Sequence, residues 1–173
     1  MKKSQPVTFR IDDACLSALK HESIEKKVSL NSLVHNLIDK YIDYYRHLEK
    51  FETIVMPRSI LKTILELLSD EQISALANDL AKGDVNEFIH FKWGKKDQDS
   101  VLEFLHMFFN ECGYVGYRQE SHENHHRLLI HHKLGKKGTL YLISFLKSLL
   151  GDIRTQDISF KSSEEGLNVE LIF

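Results

Sequence analysis

The stretch Pro6-Val7-Thr8-Phe9-Arg10-Ile11 alternates apolar and polar residues, with β-formers at the apolar places, and it stands alone ahead of helical sequence. Period two over six residues is the pattern of a strand with one buried face. Val7, Phe9 and Ile11 share that face, while Thr8 and Arg10 share the other, with Gln5 just before the proline. A lone strand leaves its backbone donors and acceptors unpaired. Two short helices follow. Asp12 or Asp13 caps the first, whose apolar side is Cys15, Leu16, Leu19 and Ile24, and Lys26 and Lys27 occupy its last turn. Val28-Ser29-Leu30-Asn31 is a tight turn with Ser29 as N-cap of the second. There Leu30, Leu33, Val34, Leu37, Ile38, Tyr41 and Ile42 recur at spacings of three and four, and the helix is expected to run past Tyr45 toward Lys50.

Two helices of this length bury too little to stand alone. Pairing the strand antiparallel with its copy in a second subunit satisfies the backbone and places Val7, Phe9 and Ile11 on a four-helix core. Gln5, Thr8 and Arg10 of each chain then point outward. A two-stranded ribbon fits the DNA major groove, where arginine binds guanine and glutamine binds adenine bidentately. The free amides at the start of the second helix are suited to a phosphate.

This run (Val7-Thr8-Phe9-Arg10-Ile11-Asp12-Asp13, then Leu16, Leu19, Val28-Ser29-Leu30-Asn31-Ser32-Leu33-Val34 and Tyr41) resembles the ribbon-helix-helix family of the Arc, MetJ and CopG type over residues 5–45. The resemblance implies that Gln5, Thr8 and Arg10 read bases and that Ser29, Leu30 and Asn31 clamp a phosphate. It also implies a homodimeric transcription regulator, with double-stranded DNA as partner and the ribbon-helix-helix head intertwined with its copy. Lys27 departs from the family, in which many members carry glycine just before the position of Val28. If that turn needs positive φ, lysine makes it costlier.

Behind the head, over residues 51–173, the reading is helical and then strand-strand-helix-strand-strand, so the fold class is α+β. Thr53-Ile54-Val55-Met56 suggests a short strand, and Ile60 to Leu68 an amphipathic helix. Ser69-Asp70-Glu71-Gln72 caps a helix ending near Gly83. Asp84 to Trp93 and Asp97 to Cys112 are two more, the latter stopped by Gly113. Tyr114 to Glu120 and Arg127 to Lys133 are strands, Gly138 to Leu150 is a helix closed by Gly151, and Ile158 to Lys161 and Leu167 to Phe173 are strands. No known family is recognised in this body, whose expected role is regulatory or oligomeric, with a small effector or a protein as possible partner. Trp93, Phe104, Phe108, Phe109, Tyr114 and Tyr117 read as core aromatics.

Charge divides along the same boundary. Residues 1–50 hold nine Lys/Arg and seven Asp/Glu, against fourteen and eighteen in the remainder, so a mildly basic head precedes an acidic body. Cys15 and Cys112 form no disulfide or CxxC spacing, which fits a reducing cytoplasm. No signal peptide and no membrane span are read in the chain. Ten histidines are many for 173 residues, and five crowd into His122, His125, His126, His131 and His132. The nearest to a metal set are His122, His125 and His126, which fall in the expected hairpin turn. His131 and His132, adjacent on a strand, must point to opposite faces. No metal or cofactor is assigned on this pattern. Gly135-Lys136-Lys137-Gly138 reads as a loop without the phosphate-binding P-loop pattern. No nucleophile–base or paired-carboxylate fingerprint calls for catalysis, so no enzyme activity is expected. Two other readings use the same residues: a protein-interaction module, antitoxin-like or an adaptor, and a metal- or ligand-responsive sensor.

Overall fold

The computed structural model describes residues 5–48, 54–111, 113 and 115–173. The chain divides into two compact units, residues 1–46 and residues 47–173. The fold is mixed helix and sheet, with one four-stranded antiparallel sheet.

In the first unit residues 5–12 are exposed and form no regular secondary structure, without a strand partner among the described residues. Helix α1 (Asp13–Glu25) is capped by Asp12, whose Oδ1 accepts from the Cys15 amide at 2.8 Å. Of the two aspartates the first is therefore the cap. The helix ends in a Schellman turn. The Val28 amide donates to the Ser23 carbonyl (3.0 Å) and the Lys27 amide to the Ile24 carbonyl (3.1 Å), with Lys27 at φ 54°. Lysine thus occupies the left-handed position that glycine fills without steric cost. Lys27→Gly should stabilise the head by about 0.5–1 kcal/mol, read as a raised urea midpoint at unchanged slope. No change would mean the lysine is not strained.

Helix α2 (Leu30–Lys40) begins at Ser29 and runs into a π turn at Tyr41–Tyr45, closed by the Arg46 amide donating to the Tyr41 carbonyl, before a last turn, α3 (Arg46–Leu48). Lys50, Phe51 and Thr53 lie outside the described residues. Leu33 is buried, and Leu16 and Leu19 are half-buried, but Val7, Phe9 and Ile11 are 69%, 63% and 48% exposed. Ile24, Val28, Leu37, Ile38, Tyr41 and Ile42 are exposed as well. Within one chain this unit leaves most of its large apolar side chains in water.

The second unit is built on helices α4 (Arg58–Leu67), α5 (Asp70–Lys82), α6 (Asp84–Trp93) and α7 (Gln98–Glu111), strands β1 (Val115–His122) and β2 (His125–His132), helix α8 (Gly135–Leu150), and strands β3 (Asp157–Ser162) and β4 (Gly166–Ile172). Several helical boundaries have a local cause. A capping box joins Ser69 and Gln72 at the start of α5. Gly94, at φ 73°, ends α6, and Asp97 and Ser100 cap each other's amides at the start of α7. The short strand expected at Thr53–Met56 does not form over its described residues 54–56, which are irregular, since Ile54 and Val55 without a ladder partner gain nothing from extension.

The sheet runs β1-β2-β4-β3, antiparallel throughout. Helix α8 carries the chain from β2 to the far edge strand β3, and β4 returns between them. Alternation sets the faces: Leu128 and Ile130 on β2 pair with Val169 and Leu167 on β4, all buried. They join Phe109, Phe145, Leu146, Ile73 and Ile89 of the helices in one core, and Trp93, Phe108 and Tyr117 pack against it. Tyr114 lies outside the described residues. The opposite sheet face is solvated and carries the row Glu120, Arg127 and Glu170, with Arg127 bonding Glu170 at 3.2 Å.

Gly135-Lys136-Lys137-Gly138 is the first turn of α8, not a loop. The two glycines that suggested a break serve other ends. Gly135 takes φ 72°, and Gly138 makes room for Leu134, whose Cβ would lie 2.1 Å from an added Cβ. Lys137 reaches back to the Glu66 and Leu68 carbonyls at the end of α4. Among the described residues no helix is long and apolar enough to cross a membrane.

Candidate nucleic-acid interface

Gln5, Thr8 and Arg10 lie on the segment ahead of α1, which has no regular secondary structure, and all three are exposed. Arg10 forms no ion pair among the described residues, so its guanidinium is available to a partner. The carboxylate nearest in sequence, Asp12, is engaged by the α1 amide it caps.

At the start of α2, Ser29 Oγ accepts from the Ser32 amide at 3.0 Å and shares a 2.7 Å hydrogen bond with the Ser32 hydroxyl. The Ser29 carbonyl takes the Leu33 amide at 2.9 Å. The cap therefore uses the third and fourth amides and leaves those of Leu30 and Asn31 outside the helix's own hydrogen bonding. Asn31 is exposed and Leu30 half-buried. A helix N-terminus with two free amides and no acidic residue in its first turn is electrostatically open to an anion. Ser29, Leu30 and Asn31 are thus adjacent at one helix end, while Gln5, Thr8 and Arg10 share the irregular segment ahead of α1.

The histidine-rich hairpin is placed differently from expectation. Its loop is only Glu123-Asn124, with Glu123 at φ 50°, so His122 and His125 are the paired last and first residues of β1 and β2 rather than turn residues. Strand alternation then puts His126 on the opposite face from His125. There its Nδ1 lies 2.9 Å from Ser121 Oγ, its Nε2 lies 3.3 Å from Gln98, and its ring meets Phe173 edge-on. The three histidines do not share a face. Among the described residues no group of three His, Cys, Asp or Glu side chains is placed to hold a metal ion. Cys15 is an exposed free thiol, and Cys112 lies outside the described residues.

His131 and His132 do point to opposite faces, and His132, 1% exposed, is a structural group that sequence reasoning left unassigned. The signal was its place in the alternation with Leu128 and Ile130. Thr139 Oγ1 donates to the carbonyl of Ser163 (2.9 Å), so its oxygen is left to accept from His132 Nε2 (3.1 Å). His132 Nδ1 in turn accepts from the Leu134 amide at 3.3 Å. That arrangement needs the neutral Nε2–H tautomer, because a proton on Nδ1 would face the Leu134 N–H. Burial is the main cause that holds this imidazole below its ordinary value of 6.5, with His131 adding to it and Glu165 opposing. Burial lowers His126 in the same sense.

A histidine depressed in the folded state contributes full stability above its unfolded pKa. That stability is lost as pH falls, because the unfolded chain binds the proton first. The second unit should therefore lose thermal stability on going from pH 7 to pH 5. His132→Gln, which preserves one donor and one acceptor, should reduce the loss, leaving the part due to His126. An unchanged pH slope in the variant would remove His132 from this role.

No protein-family model matches the chain, and no curated protein matches it.

Proposed function

We propose that the chain is a homodimeric, sequence-specific DNA-binding regulator with a ribbon-helix-helix head. The observation that carries this reading is the segment 5–12, exposed throughout and without regular secondary structure in the single chain, with Val7, Phe9 and Ile11 in water. A segment of this kind is completed by antiparallel pairing with its copy, which buries the apolar side and satisfies the backbone. The large apolar side chains left outside α1 and α2 supply the surface for a four-helix core. Gln5, Thr8 and Arg10 then form the outward, base-reading side, and Ser29, Leu30 and Asn31 hold the flanking phosphate. The Schellman turn at Lys27 and the Ser29 cap are consistent with the sharp helix-to-helix connection that such a head needs.

In this reading the body, residues 51–173, is regulatory or oligomeric, and the protein acts as a repressor or activator in the cytoplasm without catalytic chemistry. Selection of bound duplexes from a random-sequence library tests the proposal. A recurring, two-fold related motif is the expected outcome, with affinity falling as salt rises because phosphates are neutralised. Recovery of unenriched sequence overturns it.

A further inference from the structure

Helix α4 is apolar over more of its surface than its core contact uses. Leu61, Leu65 and Leu68 face the core of the second unit. Its charges, Arg58, Lys62 and Glu66, are all exposed and recur every four residues, Lys62 and Glu66 lying within 4 Å of where a Cβ on Gly135 would stand. A separate outward stripe carries Ile60, Ile64 and Leu67, at i, i+4 and i+7, flanked by the uncharged Ser59 and Thr63. Leu67 is 80% exposed. Just ahead of the helix Ile54, Val55 and Met56 are exposed too, Val55 at 93%. An exposed apolar stripe with no charge is the composition of an interface core, where charged residues are depleted.

We infer that this strap, residues 54–67, packs against the same strap of a second copy of the chain. Its six exposed apolar side chains amount to roughly 600 Å² per copy, close to the about 800 Å² per partner of a standard interface. That is at the upper limit of what a monomer leaves uncovered. The stripe of Ile60, Ile64 and Leu67 itself carries no charge, and a uniform apolar stripe complements itself about a two-fold axis. The inference rests on the proposed head dimer for one thing only: a dimeric head supplies the second strap at high effective concentration.

The test uses the full chain in a Cys15→Ser, Cys112→Ser background with one thiol introduced at a time. Ile60→Cys, Ile64→Cys and Leu67→Cys probe the apolar stripe, and Lys62→Cys probes the exposed charged stripe beside Gly135. Each is treated with a short bismaleimide and run under denaturing conditions, beside sedimentation with and without Phe9→Asp in the head. The expected result is a covalent dimer in most molecules for at least one outward position, and none for Lys62→Cys. No crosslink at any outward position in a chain that sediments as a dimer overturns strap pairing and leaves the head dimer standing. Outward thiols that neither crosslink nor react with a monofunctional maleimide are covered by their own chain, which also overturns it. A crosslinked dimer that Phe9→Asp does not weaken supports strap pairing and counts against the head dimer.

Discussion

Gly138→Ala is expected to destabilise the second unit by about 3 kcal/mol, the upper end of the usual cost of overpacking. Two effects oppose each other at this position. Alanine in a helix is favoured over glycine by about 1 kcal/mol, so propensity alone predicts stabilisation. Against it, an added Cβ would stand 2.1 Å from the Cβ of Leu134, and 3.3 Å from its Cγ and Cδ1. Leu134 is fully buried, and the atom most closely approached is the one fixed to the backbone, so relief requires the start of α8 to move. The movement would also disturb Thr139, which ties α8 to His132 and to the β3–β4 turn. Urea unfolding of the two chains decides the sign. A variant as stable as the parent would mean that the approach of Leu134 to Gly138 is not maintained.

Phe9→Ala should have the larger consequence for assembly. Phe9 is 63% exposed in the single chain, so truncating it there removes little packing and predicts an effect within about 0.5 kcal/mol. In the proposed dimer the same side chain enters the four-helix core from each ribbon strand, and its loss costs about 3–5 kcal/mol per site. The head buries little within one chain, so a loss of that size should both melt α1 and α2 and dissociate the dimer. Circular dichroism and sedimentation at micromolar concentration read the two together. A Phe9→Ala chain with the parent's melting and mass would leave the ribbon without its core.

How far these features could be read in the sequence depended on whether a local cause fixed them. Helix α6 falls at Asp84–Trp93 as expected because Gly83 and Gly94 bracket it, and α5 begins where Ser69 and Gln72 form a capping box. The order of strands and helices in the body followed from periodicity, and so did the opposed faces of His131 and His132. What failed depended on partners or spacing distant from the residue. The Ile54–Met56 segment has β-formers but no strand to pair with. Gly135 and Gly138 looked like a break because glycine in sequence does not distinguish a turn from a close approach, and here Leu134 makes the approach. His126 turns inward because a two-residue loop extends β1 to His122, and strand parity then separates it from His125. In the head, Asp12 and Ser29 were legible as caps. The proposed pairing of the ribbon is legible only as a need, since it would be a property of two chains and not of one.

Equilibrium binding of Arg10→Ala to the selected DNA site tests the central claim most directly, beside the parent and Asn31→Ala. Arg10 is exposed and free of ion pairs among the described residues, so its loss should leave folding within about ±0.5 kcal/mol of the parent. If each Arg10 reads a base, the variant should bind about 1–3 kcal/mol more weakly per half-site and lose preference at that base pair. Asn31→Ala, at the start of α2, should weaken selected and unselected sequences alike. An Arg10→Ala chain that binds the selected site as tightly and as selectively as the parent would contradict the DNA-reading ribbon.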